Sequence, residues 1–101
     1  MQLNEVVRQA ARMQRKVEAA RAEVKDQEVS ATAAGGKVTA VVTCEGKVKE
    51  LRIDDGFLAE EGQELALSAL AASINTALES AQKIVDEHVK KITGGVKLPG
   101  F

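Results

Sequence analysis

The sequence predicts an α+β protein: a long N-terminal helix, a three-stranded antiparallel β-meander and a long C-terminal helix. Three observations predict it. Between residues 3 and 24 the apolar side chains recur at spacings of three and four, between residues 27 and 54 they alternate, and after residue 61 the spacing of three and four returns. A chain of 101 residues is one domain. Its expected parts are a helical arm over 1–26, the meander over 27–54, a connection and long helix over 55–93, and a tail over 94–101.

The first helix is expected from Gln2 to about Asp26. Leu3, Val6, Ala10, Met13, Val17, Ala20 and Val24 form an unbroken heptad seam, and neither Gly nor Pro interrupts it. From Gln27 the period changes. Val29, Ala31 and Ala33 alternate with Ser30 and Thr32 as a short strand, and Gly35-Gly36 signals a two-residue hairpin turn. The return strand, Lys37 to Cys44, sets Val38, Ala40, Val42 and Cys44 on one face. Glu45-Gly46-Lys47 turns the chain again, and the third strand, Val48 to Asp54, points Leu51 and Ile53 inward. Asp54-Asp55-Gly56 then ends the sheet, with Phe57-Leu58 in a short connection. A second long helix runs from about Glu61 to Ile92 on a stripe of Leu67, Ala71, Ile74, Leu78, Ala81, Val85 and Ile92, with His88 in the one missing place. Gly94-Gly95 stops it.

Composition narrows the function classes. Hydrophobic residues reach 45%, yet with two Phe and neither Trp nor Tyr the core must be thin and aliphatic. The net charge of -1 argues neither for nor against nucleic acid, but charge is unevenly distributed. Residues 1–25 hold six Lys/Arg against three Glu, residues 26–61 four against eight acids, and residues 62–101 four against four. The basic surface is therefore the first helix. A single cysteine, Cys44, excludes an intramolecular disulfide and fits a reducing cytoplasm. No apolar run has the length of a membrane span, and no signal peptide is visible.

At 1.5 Å per residue the helices would be about 37 and 45 Å long, whereas a compact domain of this size has a radius of gyration of about 13 Å. Paired along a narrow seam of Ala and Val, they must project as an arm. A small sheet with two edges and a face to cover favours a homodimer.

With that element order, further residues fall into place: Gln9-Ala10, Met13-Gln14 and Lys16; Gly36-Lys37-Val38-Thr39; Gly46 followed by Leu51-Arg52-Ile53-Asp54; Ala72, Asn75 and Ala77; and the ending Gly94-Gly95-Val96-Lys97-Leu98-Pro99-Gly100-Phe101. In their order and spacing these resemble the YbaB/EbfC family of bacterial nucleoid-associated DNA-binding proteins, over nearly the whole chain. The resemblance implies a tweezer-shaped homodimer whose helical arms bind double-stranded DNA and help to organise the nucleoid. It also implies a cytoplasmic, nucleoid-associated protein with no enzymatic activity, no small-molecule substrate, no cofactor and no membrane partner. The first helix departs from the family in being richer in Ala and Arg and poorer in Met and Gln.

Arg8, Arg12 and Arg15 fall at i, i+4 and i+7 opposite the seam, with Lys16 beside them. Guanidinium forks match phosphate geometry, and release of counterions supplies affinity independent of sequence; the other reading of such a stripe is a solvated helix face. The resemblance favours phosphate contact, with Arg21 completing the set. Lys25, Lys90, Lys91 and Lys97 are additional candidates, the last three brought close to Arg8 by antiparallel helices. Base reading is not expected, because Asn, Gln and aromatic residues are scarce on the stripe.

The remaining polar residues have structural readings. His88 is a seam residue, being the only His and outside any ligand cluster. Cys44 is a small core residue, and Asp54-Asp55 end a strand. Asn75 on an apolar face fixes register or a dimer contact. The Gly pairs lack the strand-loop-helix context of a nucleotide-binding loop. A different class of function, a protein-interaction scaffold or chaperone-like clamp, would use the same heptad arms and is favoured by the acidic middle segment.

Overall fold

The computed structural model describes residues 3–95. The chain runs through α1 (Leu3–Val24), β1 (Glu28–Ala33), a 3-10 turn (Ala34–Gly36), β2 (Val38–Thr43), β3 (Val48–Ile53) and α2 (Asp55–Thr93). Gln2 and the tail after Gly95 lie outside the described residues. The three strands form one antiparallel sheet in the order β1-β2-β3. Helix, meander and helix stand in the expected order, so the fold is α+β.

Alternation on β2 sets the core. Val38, Ala40 and Val42 are completely buried on one face, and α2 crosses that face, packing mainly on β2 and β1 and only lightly on β3. The row of α2 that meets the sheet is made of small residues: Ala66, Ser73, Ala77 and Ala81 are all buried. Val42, Ala77 and Ala81 form a core cluster against which Val29, Ala31, Cys44 and Leu78 pack. The buried Ser73 hydroxyl donates to the Leu70 carbonyl at 2.8 Å, so the row carries no unsatisfied donor.

This corrects the expected stripe on α2. Leu67 is 51% exposed and Ala71 is exposed, while their neighbours Ala66, Leu70 and Ser73 turn inward. A close helix-on-sheet contact admits only small side chains in the contact row, so volume outweighed hydropathy in choosing the face. Asn75 is exposed rather than set in an apolar face. Leu51 also departs from expectation. It pairs with Ala40 on the inner face, yet it is 43% exposed because α2 does not reach over β3. A bulge between Val41 and Val42 shifts the register, and Val42 therefore pairs with Val48.

Two turns differ from the sequence reading. The last β1–β2 pair is Ala33 with Val38, so the hairpin loop contains four residues instead of Gly35-Gly36 alone. Ala34, at φ 53, is forced into the left-handed region ahead of the two glycines. The connection at Phe57-Leu58 is helical. Asp54 caps α2 by accepting the Phe57 N–H on Oδ1 at 3.0 Å, and the helix breaks once, at Gly62, whose φ of 86 and ψ of 166 suit a residue without Cβ.

The backbone N–H groups of Cys44 and Glu45 donate to the carbonyls of Gln27 and Lys25, at 2.9 and 3.0 Å. These bonds fasten the end of α1 to the margin of the sheet. From there α1 packs back along the part of α2 that continues past the sheet, antiparallel to it, burying Val17 and Ala20. The result is a chain of 68 × 20 × 17 Å with a radius of gyration of 19.0 Å, well above the compact value of about 13 Å.

Candidate nucleic-acid interface

The basic residues of α1 divide into two groups. At about 100° per residue, Arg8, Arg12 and Arg15 lie within roughly 60° of arc, on the side of the helix about 145° from the buried Val17 and Ala20. All three are exposed. Lys16, also exposed, lies at the stripe's edge toward the seam. Only Arg8 has a partner among the described residues, Glu5 at 3.9 Å. Both members of that pair are solvated, so it is worth no more than about 0.5 kcal/mol. Such a weakly held guanidinium can be redirected to a phosphate at little cost.

Arg21 is not brought to this stripe. It faces about 150° away, and Lys25 about 110° away. Both line a shallow cleft of about 400 Å³ at the elbow between arm and sheet, together with Ala22, Cys44, Glu45, Gln82 and Val85. Glu45 is held below the usual carboxylate range, first by the hydrogen bond from Lys47, then by that residue's charge and, more weakly, by Lys25. Burial pushes the Cys44 thiol up, which makes it a poor nucleophile.

Lys90 and Lys91 occupy the exposed last turn of α2. The Lys90 carbonyl accepts the N–H groups of Gly94 and Gly95, and Gly94 adopts the left-handed conformation at φ 68 that ends the helix. Their position along the arm follows from one cross-helix contact. His88 Nε2 lies 2.9 Å from Glu23 Oε2, tying the two helices at that level. Measured from this tie, Arg8 is about 22 Å toward the arm tip and Lys91 about 4.5 Å. The two lysines therefore stop about 18 Å short of Arg8 and stand level with the last turns of α1. Lys97 lies outside the described residues.

The His88–Glu23 contact was not legible as a pair. His88 sits in the α2 stripe as expected, half-buried, but only the antiparallel pairing reveals its partner. Among the described residues, no group of three or more His, Cys, Asp or Glu side chains is placed to hold a metal ion. No described helix is long and apolar enough to cross a membrane. What the arrangement offers is a solvated row of guanidinium groups on a rod, at the end remote from the sheet and its acidic side chains.

Comparison with known proteins agrees with this architecture. A "Nucleoid-associated protein" of Acetivibrio thermocellus is 36% identical over 100 residues, covering 98% of this chain and 88% of its own. One from Akkermansia muciniphila is 31% identical over 99 residues, covering 98% and 95%. The crystal structure of the uncharacterized protein HP0035 from Helicobacter pylori superposes with a TM-score of 0.72 over 91% of this chain and 97% of its own. At 17% identity, that match speaks to the fold alone. Residues 1–96 match the family described as the YbaB/EbfC DNA-binding family. With that match, and with relatives above 30% identity along nearly its whole length, the chain belongs to the YbaB/EbfC DNA-binding family.

Proposed function

We propose that this protein binds duplex DNA as a homodimer, through phosphate contacts from the outer face of each α1 arm, and so takes part in nucleoid organisation or gene regulation in the cytoplasm. The observation that carries the reading is the exposed Arg8, Arg12 and Arg15 row, with Lys16 at its edge, on a rod that projects beyond the sheet. Net charge is -1, so long-range attraction to DNA must come from this local field rather than from the whole molecule. Arg21 and Lys25, turned toward the elbow, are secondary contacts at most, and Lys90 and Lys91 belong to the base of the arm. The names of the relatives, nucleoid-associated proteins, support DNA as the partner. The reading assigns no catalytic role to any residue and needs no cofactor.

Dimerisation is supported by the apolar surface left bare on one protomer. Val48 and Leu51 on the inner face of β3 are 47% and 43% exposed, and Leu58, Leu65 and Leu67 are exposed on α2. An uncovered strand beside several exposed leucines is what a second copy would bury.

The test is a DNA gel shift at low salt comparing wild type with a variant carrying Arg8→Glu, Arg12→Glu and Arg15→Glu. The variant is expected to keep its helical circular dichroism and lose binding. Equal binding by both proteins would overturn the proposal. The clamp reading is favoured by one observation, the exposed Leu3, Val6 and Val7 at the arm tip. It would instead leave a protein that ignores DNA and whose partner capture depends on those apolar residues.

A further inference from the structure

The heptad seam of α1 continues past the end of its partner. Val17 and Ala20 are buried against α2 and Met13 is half-buried, but Ala10 is exposed, Val6 is 38% exposed and Leu3 77% exposed. The tie between Glu23 and His88 explains where cover runs out. From His88, α2 and its terminal glycines extend to Gly95, about 10 Å further, which is level with Lys16 on the antiparallel α1. From Met13 to Leu3 the seam runs on for about 15 Å with no helix opposite among the described residues. Its flanks carry no charge. At about 100° per residue, the other members of 3–14 within roughly 80° of the seam are Val7, Gln9 and Gln14, and the Arg row lies on the far side.

We propose that this bare stretch pairs, antiparallel, with the same stretch of a second copy of the chain. Length and direction select that occupant. A second arm entering from the free end can slide along the seam until its Leu3 is level with Met13, close to where the end of α2 blocks further travel, and the first arm meets the same stop on the second. In that register Leu3 faces the partner's Met13 and Val6 faces the partner's Ala10; the two-fold axis repeats both pairs, giving four apolar layers. Val7 and Gln9 each meet their own counterpart beside the axis, so no like charges are opposed. A parallel pairing is blocked, because the inner half of the second α1 would occupy the place of α2 on the seam. Four layers fall well short of the roughly 1,200 Å² of a stable interface, so the joint is weak, reversible and formed where copies are concentrated. The pairing does not depend on the DNA reading. Under that reading it leaves the two Arg rows on opposite outer faces, and one joint ties together two bound duplexes.

Its test uses two full-length proteins in a Cys44→Ser background, one carrying Val6→Cys and the other Ala10→Cys. Each is oxidised mildly, alone and mixed with the other, and followed on a non-reducing denaturing gel. The expected result is a two-chain band that forms severalfold faster in the mixture than from either protein alone, because residues 6 and 10 share a layer and neither shares one with its own counterpart. Equal rates in all samples would overturn the proposal. So would the fastest rate from Val6→Cys alone, which would assign the seam to a parallel partner. A companion measurement is sedimentation equilibrium over a concentration series. The mean mass of wild type should rise with concentration, while a Val6→Glu, Ala10→Glu variant with unchanged helical circular dichroism should stay at the mass wild type shows when most dilute. Identical behaviour of the two proteins would overturn the pairing. A wild-type mass independent of concentration would assign the seam to another occupant and overturn it as well.

Discussion

The two halves of α1 share one heptad pattern and meet opposite fates. In the half near the sheet, Val17 and Ala20 are buried and hold the arm on α2; in the outer half, Leu3, Val6 and Val7 stay exposed, and the row from Arg8 to Arg15 faces solvent on the other side. The difference comes from where α2 ends, at Thr93 with Gly94 as its left-handed cap. Spacing dictates that a helix has a seam; only the length and placement of the partner dictate how much of the seam is covered. Stability should therefore reside in the inner half and DNA contact in the outer half.

That contrast can be broken in several ways. The largest stability effect is expected in the row where α2 meets the sheet. Ala77→Leu must force a large side chain between α2 and Val42, costing about 1–3 kcal/mol, or several degrees of melting temperature at about 4–8 °C per kcal/mol. Ala71→Leu, at an exposed position of the expected stripe six residues earlier on the same helix, should stay within about 0.5 kcal/mol of wild type. If thermal melts ranked these two the other way, the helix would be turned as its hydropathy suggested. On α1, Val17→Ala should cost about 1–2 kcal/mol by lost burial. Val6→Ala, at a position 38% exposed, should be near neutral, and denaturant titration of both variants checks the ranking.

Smaller effects are expected at the tie between the helices. His88→Ala removes the contact with Glu23, whose side chain is 57% exposed, so the loss should not exceed about 1 kcal/mol. Glu23→Gln in the same background should add almost nothing if the two residues act as a pair, and a double-mutant cycle reads that coupling directly. Smallest of all is Glu45. Its carboxyl is depressed by Lys47, so whatever stability it provides is present above the unfolded-state pKa and is lost as pH falls through the lower folded-state value. Because the pair is solvated, acid melts of Glu45→Gln and wild type should nearly coincide.

Order of elements, strand faces and the inner half of the arm were legible in the sequence because each depends on local periodicity. Val38, Ala40 and Val42 announced their burial by alternation, and Val17 and Ala20 by heptad spacing. What was not legible depends on a third dimension. Leu67 looks like a core residue until the closeness of helix and sheet selects Ala66, Ser73 and Ala77 instead. Leu51 reads as inward-facing, and does face inward, but among the described residues no helix covers it. At the candidate interface, the common face of Arg8, Arg12 and Arg15 follows from residue spacing alone, whereas their reading as phosphate contacts came from the family resemblance. Arg21 was added by charge and nearness in sequence, and helical geometry turns it to the elbow cleft.

The central claim is that DNA is held by the outer Arg face, and the most direct measurement is the salt dependence of duplex binding. With about four phosphate contacts per arm in a dimer, log K should fall against log salt with a slope of roughly -7. Replacing Arg8, Arg12 and Arg15 by Ala removes six contacts per dimer and should flatten the slope to about -2. A slope that is the same in both proteins, or no binding by wild type at low salt, would contradict the assignment.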